Sequence, residues 1–315
     1  IIAGPLTSGY RLSYLCDAMK RLLPAPLIIL TAITAFSQSP ESLSVDRISA
    51  HFLAFSDMYP RVEGSAGEKE AIEYIARTAA DLELRYAVQS FGNLPRNHSY
   101  SSTVEVQIPG RSQHTFLIAV PLNHPSSAGA AEDGSAALAV ALGVIAHYAE
   151  TPPPVSLHFL FLGAEFGDGR GYPIGTRVFL RDFFPQEPTA LLYMRIASPS
   201  VGLEVVSGGG GTVSPAWLKI AFEESSAKAG VPTFVPPNMT QVYRIRAEDE
   251  ATSIGPYLAA GIASLEIREL PGGSVENWAG PLLSTIIGTV EAFGDGIPAN
   301  WARHYLRFDV GGLSI

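Results

Sequence analysis

Residues 155–167, VSLHFLFLGAEFG, decide the fold. Apart from Ser156 and His158, the stretch up to Leu162 is apolar, which is typical of a strand buried on both faces of a sheet. The remainder, GAEFG, is a turn between two glycines that contains Glu165, and a carboxylate at the end of a buried strand usually has a reason to be there. The segment therefore predicts a central strand that ends in a polar turn, and we expect Leu160 and Leu162 to be buried.

Outward from this strand, Gly and Pro residues divide the chain into alternating elements. Apolar spacing predicts helices over 66–82, 135–148, 216–229 and 280–293. Further strands are predicted over 103–108, 115–120, 190–196, 203–206 and 262–267. The alternating segment 103–108 is typical of an edge strand, and 208–211, GGGG, is interpreted as a flexible loop because it lacks the Lys and Ser or Thr that end a phosphate-binding loop.

Strands that alternate with helices predict an α/β fold with three layers, α/β/α, around a mostly parallel, mixed central sheet. No internal repeat or long linker interrupts residues 45–295, so we expect a single domain there, followed by a tail over 296–315. Ligands in such sheets bind at the carboxyl ends of the strands. The residues that follow Val120, Leu162 and Ile196, and those before Ile262, are therefore the candidates for function.

The beginning of the chain has the features of a signal peptide over 19–37. Met19-Lys20-Arg21 is basic, residues 22–35 are apolar, and a small-residue exit precedes Gln38. We therefore expect an exported protein, periplasmic or extracellular, and interpret residues 1–18 as an upstream extension. The alternative is an uncleaved segment that anchors the protein to a membrane.

Composition excludes several classes of function. The chain has 315 residues, 47% of them hydrophobic, and a formal net charge of −9 without a long basic run, so nucleic acid is not an expected partner. Cys16 is the only cysteine and precedes the predicted domain. The domain therefore has no disulfide, no thiolate metal site and no cysteine nucleophile.

Short motifs carry a family resemblance. They are residues 61–67 (RVEGSAG), 104–110 (VEVQIPG), 129–135 (GAAEDGS), 161–167 (FLGAEFG), 175–179 (GTRVF) and 256–262 (PYLAAGI). In order and spacing they resemble the M28 family of zinc aminopeptidases, which implies a zinc-exopeptidase-like fold. The resemblance also implies two metal ions that activate a water molecule, and a glutamate that acts as the general base.

The residues that the family uses for chemistry are mostly replaced here. By the resemblance, the first His falls on Pro121, the bridging Asp on Glu132, the general base on Ala164, a metal-binding Glu on Glu165, the second Asp on Met194 and the last His on Ile254. Pro, Met and Ile offer no O or N side-chain ligand, and two carboxylates without an imidazole hold zinc poorly. The methyl group of Ala164 cannot accept a proton.

The candidate metal ligands that remain are Glu132, Asp133, Glu165 and His124. Each also has a structural interpretation: His124 precedes a proline and suits a turn, while Glu132 and Asp133 suit the cap of the helix that starts near Ser135. Glu165 is equally open to either interpretation.

Two hypotheses of different classes follow. The first is an exported M28 peptidase-like domain that is not catalytic, needs no cofactor, and binds an unidentified protein or peptide ligand or supports an assembly. The alternative is an active, zinc-dependent aminopeptidase that uses displaced ligands such as His124, Asp133, Glu165 and Asp249. A metal-free hydrolase has no Ser-His-Asp spacing to support it.

Overall fold

A computed structural model describes residues 40–92, 100–123, 133–166, 173–185, 188–236, 239–246, 252–296, 309–310 and 313–314. Contacts between Cα atoms group the described residues from Ser44 onward into one compact unit. The predicted extension, the predicted signal peptide and most of the predicted tail lie outside the described residues. No helix within the described ranges is long and apolar enough to cross a membrane.

The elements follow the predicted alternation. The helices are α1 (Pro40–Asp57), α2 (Ala66–Asp81), α3 (Ser135–Glu150), α4 (Ile174–Asp182), α5 (Ala216–Ala229), α6 (Met239–Arg244), α7 (Gly255–Ala259) and α8 (Val275–Gly294). The strands are β1 (Arg85–Phe91), β2 (Ser101–Ile108), β3 (Ser112–Pro121), β4 (Val155–Leu162), β5 (Thr189–Arg195), β6 (Ser200–Val206), β7 (Gly208–Gly209), β8 (Thr212–Val213), β9 (Thr233–Phe234), β10 (Ala263–Pro271), β11 (Asp309–Val310) and β12 (Leu313–Ser314).

The central sheet has eight strands in the order β1-β2-β4-β3-β5-β10-β6-β9. Its middle strands, β4, β3, β5 and β10, pair in parallel. Antiparallel pairs flank this centre, β1 with β2 and β2 with β4 on one side and β10 with β6 on the other. The predicted fold class, a mixed sheet with a parallel centre, is confirmed.

Two apolar clusters pack on opposite faces of this sheet because successive side chains of a strand point to opposite faces. In β3, Phe116 and Ile118 belong to the cluster shared with α2, α3, α5 and α8. Leu117 and Ala119 belong to the cluster that α4 and α7 cover. Leu160 and Leu162 are 0% exposed, as predicted, and lie in this second cluster.

Three local predictions were wrong or incomplete. The alternating segment in β2 is not an edge, since β1 lies outside it; β1 was missed because RYAVQSF is exposed and shows no clear apolar pattern. The segment 208–211 is not a loop: β7 and β8 form a hairpin whose turn residues, Gly210 and Gly211, have φ of 61° and 92°. Helix α8 begins at Val275, ahead of the predicted start at 280, and contains Pro281.

Candidate functional site

The turn after β4 is set by close backbone approaches. A Cβ atom added to Gly175 would lie 2.4 Å from the carbonyl oxygen of Gly163, so the start of α4 presses directly on this turn. The amide of Ile174 donates to the carbonyl oxygen of Ala164 at 3.1 Å. Ala164, the residue at the general-base position, has φ of 52°, a left-handed conformation that costs an L-residue about 1–2 kcal/mol. The strained turn aims Glu165 at Thr176.

The carboxylate of Glu165 is 1% exposed and is bound by neutral donors. Thr176 donates from its amide to Oε1 at 2.6 Å and from its hydroxyl to Oε2 at 2.9 Å. The hydroxyl of Tyr193 in β5 donates to Oε2 at 2.8 Å. Burial raises the pKa of Glu165 to about 7, against the opposing effect of these hydrogen bonds.

A second tyrosine extends this network. The hydroxyls of Tyr257 in α7 and Thr176 lie 3.1 Å apart. Burial is the main cause that raises the pKa of Tyr193 and of Tyr257 well above the usual value, and the carboxylate of Glu165 adds to it. Both phenols therefore stay neutral, and the network links β4, α4, β5 and α7 through hydrogen bonds that need no metal ion.

Asp133 is held by a cation instead. Arg61 donates from Nη1 to Oδ2 of Asp133 at 2.8 Å, and both side chains are almost fully buried. Oδ1 of Asp133 accepts from the amide of Ser135 at 3.0 Å and from its hydroxyl at 2.6 Å, at the start of α3. Arg61 also donates to the carbonyl oxygens of Phe55, Leu122 and Asp133. The aspartate thus anchors the beginning of α3 to the turn that precedes α2.

A further carboxylate, Glu68 in α2, lies on the other side of Gly163. It accepts from the amide of Gly64 at 2.7 Å and from the hydroxyl of Ser101, and burial raises its pKa to about 7. A Cβ atom added to Gly163 would lie 3.0 Å from Oε1 of Glu68. Sequence reasoning missed Glu68, although its position directly after the RVEGSAG turn was the available signal.

Four of the six positions where the family resemblance implies a ligand or the base are filled by apolar side chains. Met194 and Ile254 are 0% exposed and belong to the two apolar clusters on opposite faces of the sheet. Pro121 is buried at the last position of β3, paired with Leu162. Ala164 is 1% exposed. These residues contribute to the core and offer no coordinating atom.

The described residues do not fit a zinc centre. Within the described ranges, no group of three or more His, Cys, Asp or Glu side chains converges on a point where a metal ion could bind. The oxygens of Glu165 and Asp133 are already engaged by donors of the chain. His124, Glu132 and Asp249, which were considered as ligands from the sequence, lie outside the described residues.

A cluster of charged side chains lies between the middle of β10 and the carboxyl end of β5, and sequence reasoning missed it as well. Glu266 is 0% exposed, accepts from the amide of Ser253 at 2.7 Å and from Nε of Arg268 at 2.7 Å, and lies 3.8 Å from Nη1 of Arg195. The guanidinium of Arg195 is 5.2 Å from the ring centre of Phe166. The cluster braces the segment just ahead of Ile254 against β10.

Comparisons with known proteins bear on the fold. A family model described as TP_0564, first domain, matches residues 171–315, which is less than half of the chain. No curated protein matches the chain.

Solved structures match most of the chain. Glutaminyl cyclase from Fimbriiglobus ruber is 13% identical, with 82% of this chain and 97% of that chain covered and a TM-score of 0.64. A Zn-dependent exopeptidase from Bacteroides vulgatus is 12% identical, with 78% and 95% covered and a TM-score of 0.56. BSAP, a zinc aminopeptidase from Bacillus subtilis, is 12% identical, with 79% and 94% covered and a TM-score of 0.55. The chain therefore has the fold that these zinc exopeptidases and glutaminyl cyclases share, and the zinc-exopeptidase-like fold that the resemblance implied is confirmed.

Proposed function

We propose that this chain is an exported, zinc-exopeptidase-like domain that does not hydrolyse peptides and has a binding or structural role. One observation carries the proposal. The carboxylate of Glu165, which stands where the family resemblance implies a metal ligand, is buried and engaged by Thr176 and Tyr193, so it serves as an internal hydrogen-bond acceptor.

The surrounding positions support this interpretation. Peptide hydrolysis on this fold needs metal ions to polarise the carbonyl group and a base to move the proton of the attacking water. Ala164 has no group that can take a proton, and Met194 and Ile254 are packed into the core. Restoring the chemistry would therefore require changes in several strands at once.

The fold by itself does not choose a reaction. Its structural neighbours include both glutaminyl cyclases and zinc exopeptidases, so the same fold carries at least two kinds of reaction. Function resides in the residues of the site rather than in the fold. The assay for this chain therefore has to cover N-terminal glutamine cyclisation as well as aminopeptidase activity.

The alternative, a metal-dependent aminopeptidase with displaced ligands, is supported by one feature. Oδ1 of Asn123, just beyond the end of β3, is buried and accepts no hydrogen bond within the described residues. An unpaired buried carbonyl oxygen is costly, and a cation bound to it would satisfy it.

Metal content and turnover on the same preparation distinguish the two functions. For the purified chain after dialysis, we expect far less than one zinc per chain. We also expect no release of nitroaniline from aminoacyl-nitroanilides and no cyclisation of N-terminal glutamine. Ala164→Glu should also be inactive, because a base has no metal-activated water to deprotonate. Chelator-sensitive turnover by the unmodified chain would establish the displaced-ligand enzyme instead.

A reversion series serves as the matched positive test. Pro121→His, Ala164→Glu, Met194→Asp and Ile254→His together restore the residue types that the resemblance implies. Zinc uptake by this variant but not by the parent chain would show that the replaced residues are what prevents binding.

Export is tested separately: N-terminal sequencing of the protein from its native cell should find Gln38 at or near the start.

A further inference from the structure

Strand β1 is an edge that could accept another strand. It is the terminal strand of the sheet, and within the described residues no strand pairs with its outer side. Its register with β2 runs without a bulge through all seven positions. Natural edges are usually protected by Lys, Pro, bulges or inward-pointing charges. The sequence RYAVQSF carries none of these protections, and only Arg85, at its first position, is charged.

The two faces of this edge differ. Tyr86 and Val88 pair with Val106 and Val104 of β2 and therefore lie on the α2 face of the sheet, where they are 46% and 43% exposed. Alternate residues lie on the α4 face, where the amide of Gln89 donates to Oδ2 of Asp182 at 3.1 Å. Tyr86 and Val88 thus make one face of the edge largely apolar, and the other face carries Arg85 and the ion pair of Asp182 with Arg181.

We propose that β1 pairs with β1 of a second copy of this chain, antiparallel and centred on Val88, so that two sheets join into one. Such a contact is isologous, because each copy uses the same surface. It belongs to the strand-addition mode of recognition, in which backbone hydrogen bonds supply affinity and side chains select the partner.

The apolar face favours a second copy as the occupant. In this register Val88 lies opposite Val88 of the second copy, and Tyr86 lies diagonal to it. Diagonal neighbours across an antiparallel pair remain within reach of aromatic side chains. Tyr86 and Val88 of the two copies would therefore pack together as one cluster of four side chains, which neither copy can form alone.

Charge on the other face is complementary in the same register. Arg85 lies opposite Phe91 of the second copy and diagonal to Gln89, whose amide is bonded to Asp182. Arg85 of each copy thus approaches Asp182 of the other, whose carboxylate also pairs with Arg181 of its own chain at 2.8 Å. No two charged residues of β1 lie opposite each other in this register. The net charge of −9 on each copy works against association, so a weak, concentration-dependent dimer is expected.

The mass of the full-length protein in solution, measured by sedimentation velocity over a wide concentration range, tests the proposal. The mass should rise from that of one chain towards twice that value as concentration increases. Val88→Lys places two like charges at the centre of the pair and should keep the protein monomeric. Leu53→Lys, at a position that is 64% exposed in α1, is the matched control and should still dimerise.

Charge reversal tests the register independently of Val88. Arg85→Asp and Asp182→Arg should each weaken dimerisation several-fold, and the double variant should recover much of the loss. Circular dichroism and thermal melts verify that each variant is folded. A monomer at all concentrations, or a dimer that Val88→Lys leaves intact, would refute β1 pairing; failure of the double variant to recover would refute the register. None of these results depends on whether the chain binds zinc.

Discussion

Two carboxylates, Asp133 just ahead of α3 and Glu165 in the turn after β4, are both buried, yet they are stabilised in different ways. Asp133 has a guanidinium partner, Arg61, at 2.8 Å. Glu165 has only neutral partners, the amide and hydroxyl of Thr176 and the hydroxyl of Tyr193. A cation compensates a buried charge directly, whereas neutral donors compensate it in part and leave the pKa raised. A buried carboxylate on this fold can therefore be stabilised by protein groups alone, either by a cation or by neutral hydrogen-bond donors.

Removing the cation should have the largest effect. Arg61→Ala leaves Asp133 buried without its partner, and breaking a buried ion pair in this way costs about 3–5 kcal/mol. Arg47→Ala is the control, because Arg47 and Glu150 form a pair at the surface, with side chains 58% and 72% exposed. Such a pair contributes about 0–1 kcal/mol. Urea titration measures both, and similar losses for the two variants would contradict the structural role of Arg61.

The pH dependence of stability should show the contribution of Glu165. Its pKa is raised to about 7 in the folded chain, so between its ordinary value and about 7 the native state binds more protons than the unfolded state. The stability contributed by this group is present at low pH and is lost as pH rises through that range, by up to about 3 kcal/mol. Glu165→Gln should flatten this decline. The pKa of Glu68 is also raised to about 7, but Glu68 is present in both the parent chain and the Glu165→Gln variant. Its effect on stability therefore cancels when the two pH profiles are compared. Parallel pH profiles would contradict the prediction.

Removal of one neutral donor should have a smaller effect. Tyr193→Phe deletes one of the three donors to Glu165, and the loss of a hydrogen bond to this buried carboxylate should cost about 1–3 kcal/mol. The loss should be greater at pH 8 than at pH 5, because the ionised carboxylate needs the donor more. Tyr257→Phe is the control, since its hydroxyl contacts Thr176 instead. Denaturant titrations at the two pH values should show a pH-dependent loss for Tyr193→Phe alone.

Relief of the backbone strain at Ala164 should have the smallest effect on stability, and this effect should be stabilising. Ala164 has φ of 52°, and glycine adopts this conformation without a steric penalty. Ala164→Gly should therefore stabilise the fold by about 1 kcal/mol. Glu83→Gly, at an exposed position with φ of 57°, provides a comparison away from the site. A loss of stability in Ala164→Gly alone would mean that the methyl packing outweighs the strain.

Much of the fold was predictable from local patterns. The helix at Ala216–Ala229 and the strand at Val155–Leu162 have the predicted bounds, because long apolar patterns between Gly or Pro residues are reliable signals. The edge strand β1 was missed because an exposed strand has no buried face to leave a pattern in the sequence. The hairpin at 208–213 was missed because consecutive glycines are compatible with many backbone conformations.

The sequence by itself determined which residue types stand where the M28 resemblance implies ligands, and hence that Pro121, Met194 and Ile254 offer no side-chain oxygen or nitrogen. Whether Glu165 and Asp133 face a ligand or the protein was decided only by the tertiary structure. Their partners are distant along the chain: Tyr193 lies in another strand, and Arg61 precedes α2. Hydrogen-bond partners that the packing of separate elements brings together leave no local pattern, so the engagement of both carboxylates became visible only in the folded chain.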